Sequence, residues 1–169
     1  MSDENLRVRE AAGSLDDKPI KYFEDYRVGD VIDVDAVYPI TEDEIVEVGR
    51  RWDPQPFHTD ADAARESFFG GLVASSVHLF AASVWLGYQM DVRTAAVSAL
   101  GFKELRWHAP ARPGDGLKAR STTLSARISK SRPDCGVVEN GTEIFNQRGE
   151  LVFSFTGAAL IRRRQTGAP

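Results

Sequence analysis

The chain has one cysteine, Cys135, and three histidines, His58, His78 and His108, among its 169 residues. A lone thiol cannot close an internal disulfide, which fits a reducing compartment, and we expect a cytoplasmic protein. Cys135 follows Pro133 and Asp134 and precedes Gly136, so it reads as a turn residue rather than a nucleophile. The histidines are widely separated and have no Cys or Glu at ligand spacing, so no metal site is expected. No GxSxG elbow, P-loop or dinucleotide fingerprint occurs. Surplus positive charge is missing as well: 21 Lys and Arg face 25 Asp and Glu, for a net charge of −4. That argues against nucleic acid as a partner, since phosphate binding needs concentrated Lys and Arg. Arg162, Arg163 and Arg164 are the exception and read as a solvated chain end.

Long apolar runs are scarce. The first residues carry mixed charge with no apolar segment, which excludes a signal peptide and predicts a flexible stretch over 1–20. Gly70 to Met90 carries no charge and is long enough to cross a bilayer. Ser75, Ser76, His78, Ser83 and Gln89 make it only mildly apolar, so a helix buried in a soluble domain is expected, with no membrane partner.

What remains is an ordinary globular composition, 42% apolar and 27% charged, in a length that suits one domain. Residues 22–40 are strand-like, with a turn at Val28–Asp30. Thr41 opens a helix as part of a capping box with Glu44, and Ile45, Val48 and Trp52 repeat at helical spacing. Asp53 precedes Pro54, which ends that helix near Trp52. A short helical piece follows near Asp60–Glu66, with Thr59 and Asp62 spaced as a second capping box. Gly70 and Gly71 then lead into the long uncharged helix.

After Met90 the texture changes. ALGFKELRWHAPARPGD, GLKARSTTLSARI, GVVENGTEIF and ELVFSFTGAALI read as strands, and Asn146–Gly149 forms a hairpin turn. Leu151, Phe153 and Phe155 share one face of the last strand. A helix apolar nearly all round must be enclosed, and a curled antiparallel sheet would enclose it. The expected class is α+β.

The segment RWDPQPFHTD, Arg51–Asp60, concentrates the chemistry. Pro54 and Pro56 are expected to hold the chain extended, so that Asp53 and His58 converge if it curves. A carboxylate and an imidazole addressing one water can act as an acid–base pair, with a histidine pKa near 6.5 well suited to it. The spacing alone also fits a plain turn starter and a backbone-capping histidine.

The order Asp53, Pro56, His58, Asp60, followed by FGGLVASS, resembles the MaoC-like dehydratases, the (R)-specific enoyl-CoA hydratases of hot-dog fold. YFEDYRVGD, ITEDEI, ELRWHAPARPGD and NQRGELV match further landmarks of that family, so the likeness runs from about Lys21 to Arg162. The resemblance implies a hot-dog domain over residues 21–163, an antiparallel sheet wrapped around a long central helix, with a tail at 164–169. It implies reversible syn addition of water across the C2–C3 double bond of a trans-2-enoyl thioester. His58 would accept the proton of the attacking water and Asp53 would hold that water and protonate C2, or the two would share or exchange these roles. The substrate would be a coenzyme A thioester, with no metal or redox cofactor.

The family supplies an oxyanion donor from a glycine amide at the start of the central helix, where this chain has Ser75 and Ser76. A serine amide can serve equally. The family motif also carries Gly before the aspartate and Asn two residues after it; here these are Trp52 and Gln55. Ser75, Ser76, Gln55 and Trp52 are therefore the expected substrate-binding residues, although Trp52 ends an apolar helix face and also reads as core. His78 reads as a core histidine, and His108 as facing solvent or a partner subunit. Two other readings are a hot-dog thioesterase and a non-catalytic acyl-CoA binding subunit. The first would need an acid on the central helix, and the second would have no chemical need for both Asp53 and His58. A single hot-dog sheet leaves a face and an edge to cover, so a homodimer or larger homo-oligomer is expected, with the site near the interface.

Overall fold

The computed structural model describes residues 15–164; 1–14 and 165–169, in the expected flexible segment and tail, lie outside the described residues. The sheet comes mainly from four long strands: β5 (Ala96–Trp107), β6 (Gly116–Ile128), β7 (Cys135–Phe145) and β8 (Leu151–Arg162). Four short ones precede them: β1 (Ile20–Lys21), β2 (Val31–Asp33), β3 (Tyr38–Pro39) and β4 (Arg93–Thr94). The main sheet runs β2-β6-β7-β8-β5, with β3 also on β6, and every pairing in it is antiparallel. Much of the strand-like stretch 22–40 is irregular, and Phe23–Asp25 is a 3-10 turn.

Helix α1 (Glu42–Trp52) ends where the proline signal placed its end. Its capping box is half made: Thr41 Oγ1 accepts the Glu44 amide at 3.3 Å, but the Glu44 carboxylate accepts from the Tyr38 hydroxyl. Helices α2 (Pro56–Thr59) and α3 (Ala61–Arg65) follow, and Asp60, not the expected Thr59, caps α3 by accepting the Asp62 and Ala63 amides. A carboxylate next to the first free amides is the stronger cap. The central helix α4 (Ser76–Tyr88) begins later than the uncharged run, because Ser75 Oγ caps it. Leu72–Ser75 is irregular, its amides bonded elsewhere: Val73 to Phe57 O and Ala74 to Ala111 O.

Leu79, Ala82 and Leu86 bury one side of α4 in a core with Ile45, Leu117, Ile144, Val152 and Phe153, and Phe80 meets the rings of Phe153 and Phe155. The expectation of full enclosure fails on the opposite side. Val77, Ala81, Val84 and Tyr88, spaced as one helical stripe, are exposed, because no described element covers them. β5 is exposed along its whole length, presenting Val97, Leu100, Phe102, Leu105 and Trp107. Three register shifts interrupt its pairing with β8, and Glu104 takes a left-handed φ of 56° there. No described helix is long and apolar enough to cross a membrane.

Two other expectations are corrected. Cys135 opens β7 and is fully buried, and burial pushes its thiol pKa up. Arg163 and Arg164 are not a free basic end: they pair with Glu24 and Asp25 at 3.1 and 2.7 Å and fix the Phe23 turn against β7, where the ring of Phe23 occupies the space beside Gly136.

The ARPGD and NQRG turns lock together through Asp115, which is 4% exposed. Its carboxylate accepts the Arg112 amide at 2.9 Å, the Gln147 side-chain amide at 3.0 Å and Arg148 Nη1 at 3.1 Å. Removing a buried acceptor strands its donors. Asp115→Ala is expected to lower unfolding free energy by about 1–3 kcal/mol. Urea titration measures it as a lower midpoint at constant slope; an unchanged midpoint contradicts the lock.

Candidate active site

The segment from Asp53 to His58 is only partly extended. The Gln55 amide donates to the Asp53 carbonyl at 2.8 Å, a three-residue turn centred on Pro54. Pro56 then starts α2 at its first helical position, where a fixed φ and a missing N–H cost nothing. The expected extended arc is therefore a tight turn followed by one helical turn. It still brings the two side chains together: His58 Nε2 lies 3.5 Å from Asp53 Oδ2. That is adjacent but longer than a hydrogen bond, a spacing at which both groups can contact one small molecule.

The imidazole is buried, whereas the Asp53 side chain is 30% exposed. His58 Nδ1 sits 2.6 Å from the Val73 carbonyl oxygen. A carbonyl only accepts, so Nδ1 holds the proton, and the neutral ring carries its lone pair on Nε2, facing Asp53. Val73 is bonded twice to this turn, because its amide also donates to Phe57 O at 3.2 Å. Sequence reasoning missed Val73, and no signal could have marked it, since its contribution is a main-chain carbonyl.

Gly49 was missed too. A Cβ there would lie 2.6 Å from the His58 carbonyl oxygen and 2.9 Å from its Cβ. α1 thus rests directly on α2 at the residue that must be held. The available signal was a glycine in mid-helix, unfavourable by about 1 kcal/mol relative to alanine and so in need of a packing reason.

Asp53 and His58 open into a cleft of about 370 Å³. Its walls are mostly apolar, including Phe57, Phe68, Phe69, Leu79, Trp107 and Pro110, with Ser76 and His108 as further polar groups. Phe68, at the mouth, is 98% exposed. A larger groove of about 740 Å³ lies along α1 and the start of α3, but it holds no imidazole and sets five carboxylates against Arg50 and Arg51, an acidic surface. The smaller cleft has the apolar walls and few convergent polar groups of a small-molecule site.

Of the expected site residues, Asp53, His58 and Ser76 line the cleft. Ser75 lies behind it, 1% exposed, its hydroxyl accepting the His78 amide at 3.3 Å. Gln55 is exposed outside the cleft. Trp52 is 62% exposed rather than core, and the Arg51 guanidinium lies over its ring. Both residues sit where α1 gives way to the turn, and the turn directs only Asp53 inward. His78 is buried, as a core histidine should be, and His108 is exposed at the cleft rim, 2.8 Å from Ser154 Oγ.

The chain is 32% identical over 151 residues to a mesaconyl-CoA hydratase of Cereibacter sphaeroides, covering 88% of this chain and 43% of that protein. It therefore spans less than half the length of that relative. Among solved structures it resembles a MaoC-like dehydratase from Rhodospirillum rubrum, at 37% identity and a TM-score of 0.74, covering 85% of this chain and 98% of the other. A Mycobacterium tuberculosis protein with a double hotdog fold shares the fold at a TM-score of 0.71 and 19% identity, covering 88% of this chain and 46% of that one. Residues 25–144 match the MaoC like domain, so the chain belongs to the MaoC-like dehydratase family and has a hot-dog fold.

Proposed function

We propose that the protein is an acyl-CoA hydratase that adds water reversibly, in syn fashion, to a trans-2-enoyl thioester. The observation that carries this reading is the 2.6 Å approach of His58 Nδ1 to the Val73 carbonyl oxygen. With Nδ1–H committed to the Val73 carbonyl, the Nε2 lone pair points into an apolar cleft beside a carboxylate. His58 takes a proton from a water held between it and Asp53 as the oxygen attacks C3. Asp53 orients that water and relays the proton taken up by His58 on to C2, so the hydroxyl and the hydrogen added both come from the one water and both side chains return to their starting states. The thioester oxygen, gaining enolate charge, faces the start of α4, where the amides of Ser76 and Val77 precede the first intrahelical bonds. Apolar walls strengthen each of these charge interactions. α4 carries no Asp or Glu, which leaves a thioesterase of the helix-acid type without its acid. The hydratase reading of the relative from Cereibacter sphaeroides supports the same chemistry on a coenzyme A ester.

The test is ultraviolet loss of the conjugated enoyl thioester, run beside a thiol-release assay on saturated acyl-CoA. Loss of conjugation without thiol release is the expected result. Thiol release without loss of conjugation overturns the reading in favour of a thioesterase.

The functional unit is a homodimer with the site near its interface. Two uncovered apolar surfaces, the α4 stripe and the β5 edge, lie on elements already joined by the Phe80–Phe102 contact at 5.0 Å. Trp107, at the end of β5, also walls the cleft. The double hotdog relative carries two such units in one chain. Light scattering at micromolar concentration is expected to give twice the chain mass for wild type and the single mass for Leu100→Glu combined with Val84→Glu. A wild-type monomer overturns the assembly.

A further inference from the structure

Behind the cleft, three elements meet in a polar cluster, buried at His78 and Tyr38 and partly open at Glu44, that the proposed reaction does not use. Tyr38 comes from β3, Glu44 from the first turn of α1 and His78 from the first turn of α4. The Tyr38 hydroxyl donates to Glu44 Oε1 and lies 3.4 Å from His78 Nε2, while Glu44 Oε2 lies 3.6 Å from the same nitrogen. His78 is 1% exposed, its ring edge-on to Tyr38 with centroids 6.0 Å apart. His78 Nδ1 has no hydrogen-bond partner among the described residues.

A buried imidazole with one ring nitrogen unpartnered is costly in a core, so the contacts its other nitrogen makes carry the orientation of the ring. Because the Tyr38 hydroxyl already donates to Glu44, its oxygen is left to accept the Nε2 proton of His78 at 3.4 Å, and Glu44 Oε2, at 3.6 Å, acts on the ring as a nearby charge rather than as a hydrogen-bond partner. The cluster therefore ties α4 to α1 and β3 by directed contacts, where apolar packing would leave the helix free to turn about its axis. The tie falls in one place. His78 is the third residue of α4, its amide bonded to the Ser75 cap and its neighbour Ser76 lining the cleft. Glu44 would be needed for α1's capping box, yet its carboxylate turns away from Thr41 to join this cluster.

We infer that His78, held by Tyr38 and through Tyr38 by Glu44, is a positioning residue that sets the rotation of the first turn of α4, and with it the Ser76 and Val77 amides that face the thioester. This rests on the proposed hydratase reaction. It concerns rate rather than affinity: a displaced donor fails the developing oxyanion while leaving the apolar walls that bind the acyl group intact.

The experiment compares wild type, Tyr38→Phe, His78→Leu and His78→Gln by steady-state hydration and thermal melting, with amide resonances of Ser75–Val77 recorded on labelled protein. His78→Leu and Tyr38→Phe are expected to lose about tenfold to a hundredfold in kcat with KM within about twofold. His78→Gln, whose terminal amide can replace the Nε2 donor, is expected to recover most of that loss. Tyr38→Phe removes one oxygen and keeps the question open to test if His78→Leu does not fold. Unchanged kcat, or a loss that follows the melting temperature and is not restored by glutamine, overturns the inference. If the wild type hydrates no enoyl thioester, the proposed function fails by itself. The positioning role is then decided by the resonances: shifts at Ser76 and Val77 that revert in His78→Gln uphold it, and their absence overturns it.

Discussion

His58→Ala is expected to lower kcat for enoyl thioester hydration by about 10²–10⁴-fold. The substitution removes the imidazole lone pair that the turn aims into the cleft, and neither other imidazole is placed to replace it: His78 is buried behind the cleft beside Tyr38 and Glu44, and His108 is 2.8 Å from Ser154 at the rim. KM should change little, since the aromatic and aliphatic walls are untouched. Asp53→Asn preserves shape and removes the proton shuttle, and it is expected to fall in the same range. Because both residues address one water, the double variant should lose little more than the worse single one. Initial rates by ultraviolet absorbance on folded protein check all three; variants that keep wild-type rates would remove Asp53 and His58 from the reaction.

Gly49→Ala should go against helix propensity. In an open helix the change would stabilise by about 1 kcal/mol. Here the new methyl would meet the His58 carbonyl oxygen at 2.6 Å, and main-chain atoms cannot swing aside as a side-chain tip can. α1 must move off α2, and forced repacking of this kind costs about 1–3 kcal/mol. The displacement acts on His58 itself, so kcat is expected to fall by about tenfold or more even in the folded fraction. Serine and alanine should behave alike, because the conflict lies at Cβ. A Gly49→Ala protein with raised melting temperature and full activity would contradict the contact.

The residues proposed to carry side-chain chemistry were legible in the sequence, and the main-chain groups that hold them were not. Asp53 and His58 stand out because their types and spacing suit proton transfer, and the structure places them 3.5 Å apart. Val73 contributes a carbonyl and Gly49 an absence of side chain, neither of which composition or periodicity reveals. The prolines were half understood: Pro54 does end α1, but Pro56 begins a helical turn, since its φ suits both an extended chain and a first helical position. The long strands and their hairpin at Asn146–Gly149 followed from alternation and turn residues, as in the 3.0 Å bond from the Asn146 amide to Glu150 O. The exposed side of α4 did not, because an apolar stripe looks the same whether its cover is this chain or another. Glu44 fitted a local cap so well that its longer reach to Tyr38 and His78 went unseen.

The two margins of the main sheet differ: one is made of two short pieces, β2 with three residues and β3 with two, and the other is β5, twelve residues in one strand. A filament would require one copy's long margin to seat on the next copy's short one, and two short, separate pieces give too little continuous edge to hold. Like meeting like is the alternative, and a two-fold contact uses up both long margins and stops. The register shifts and the left-handed Glu104 narrow the match further, since an arbitrary flat strand cannot follow that contour. The same irregularity that spoils ideal pairing with β8 thus makes a long uncovered margin a poor template for an unrelated flat strand.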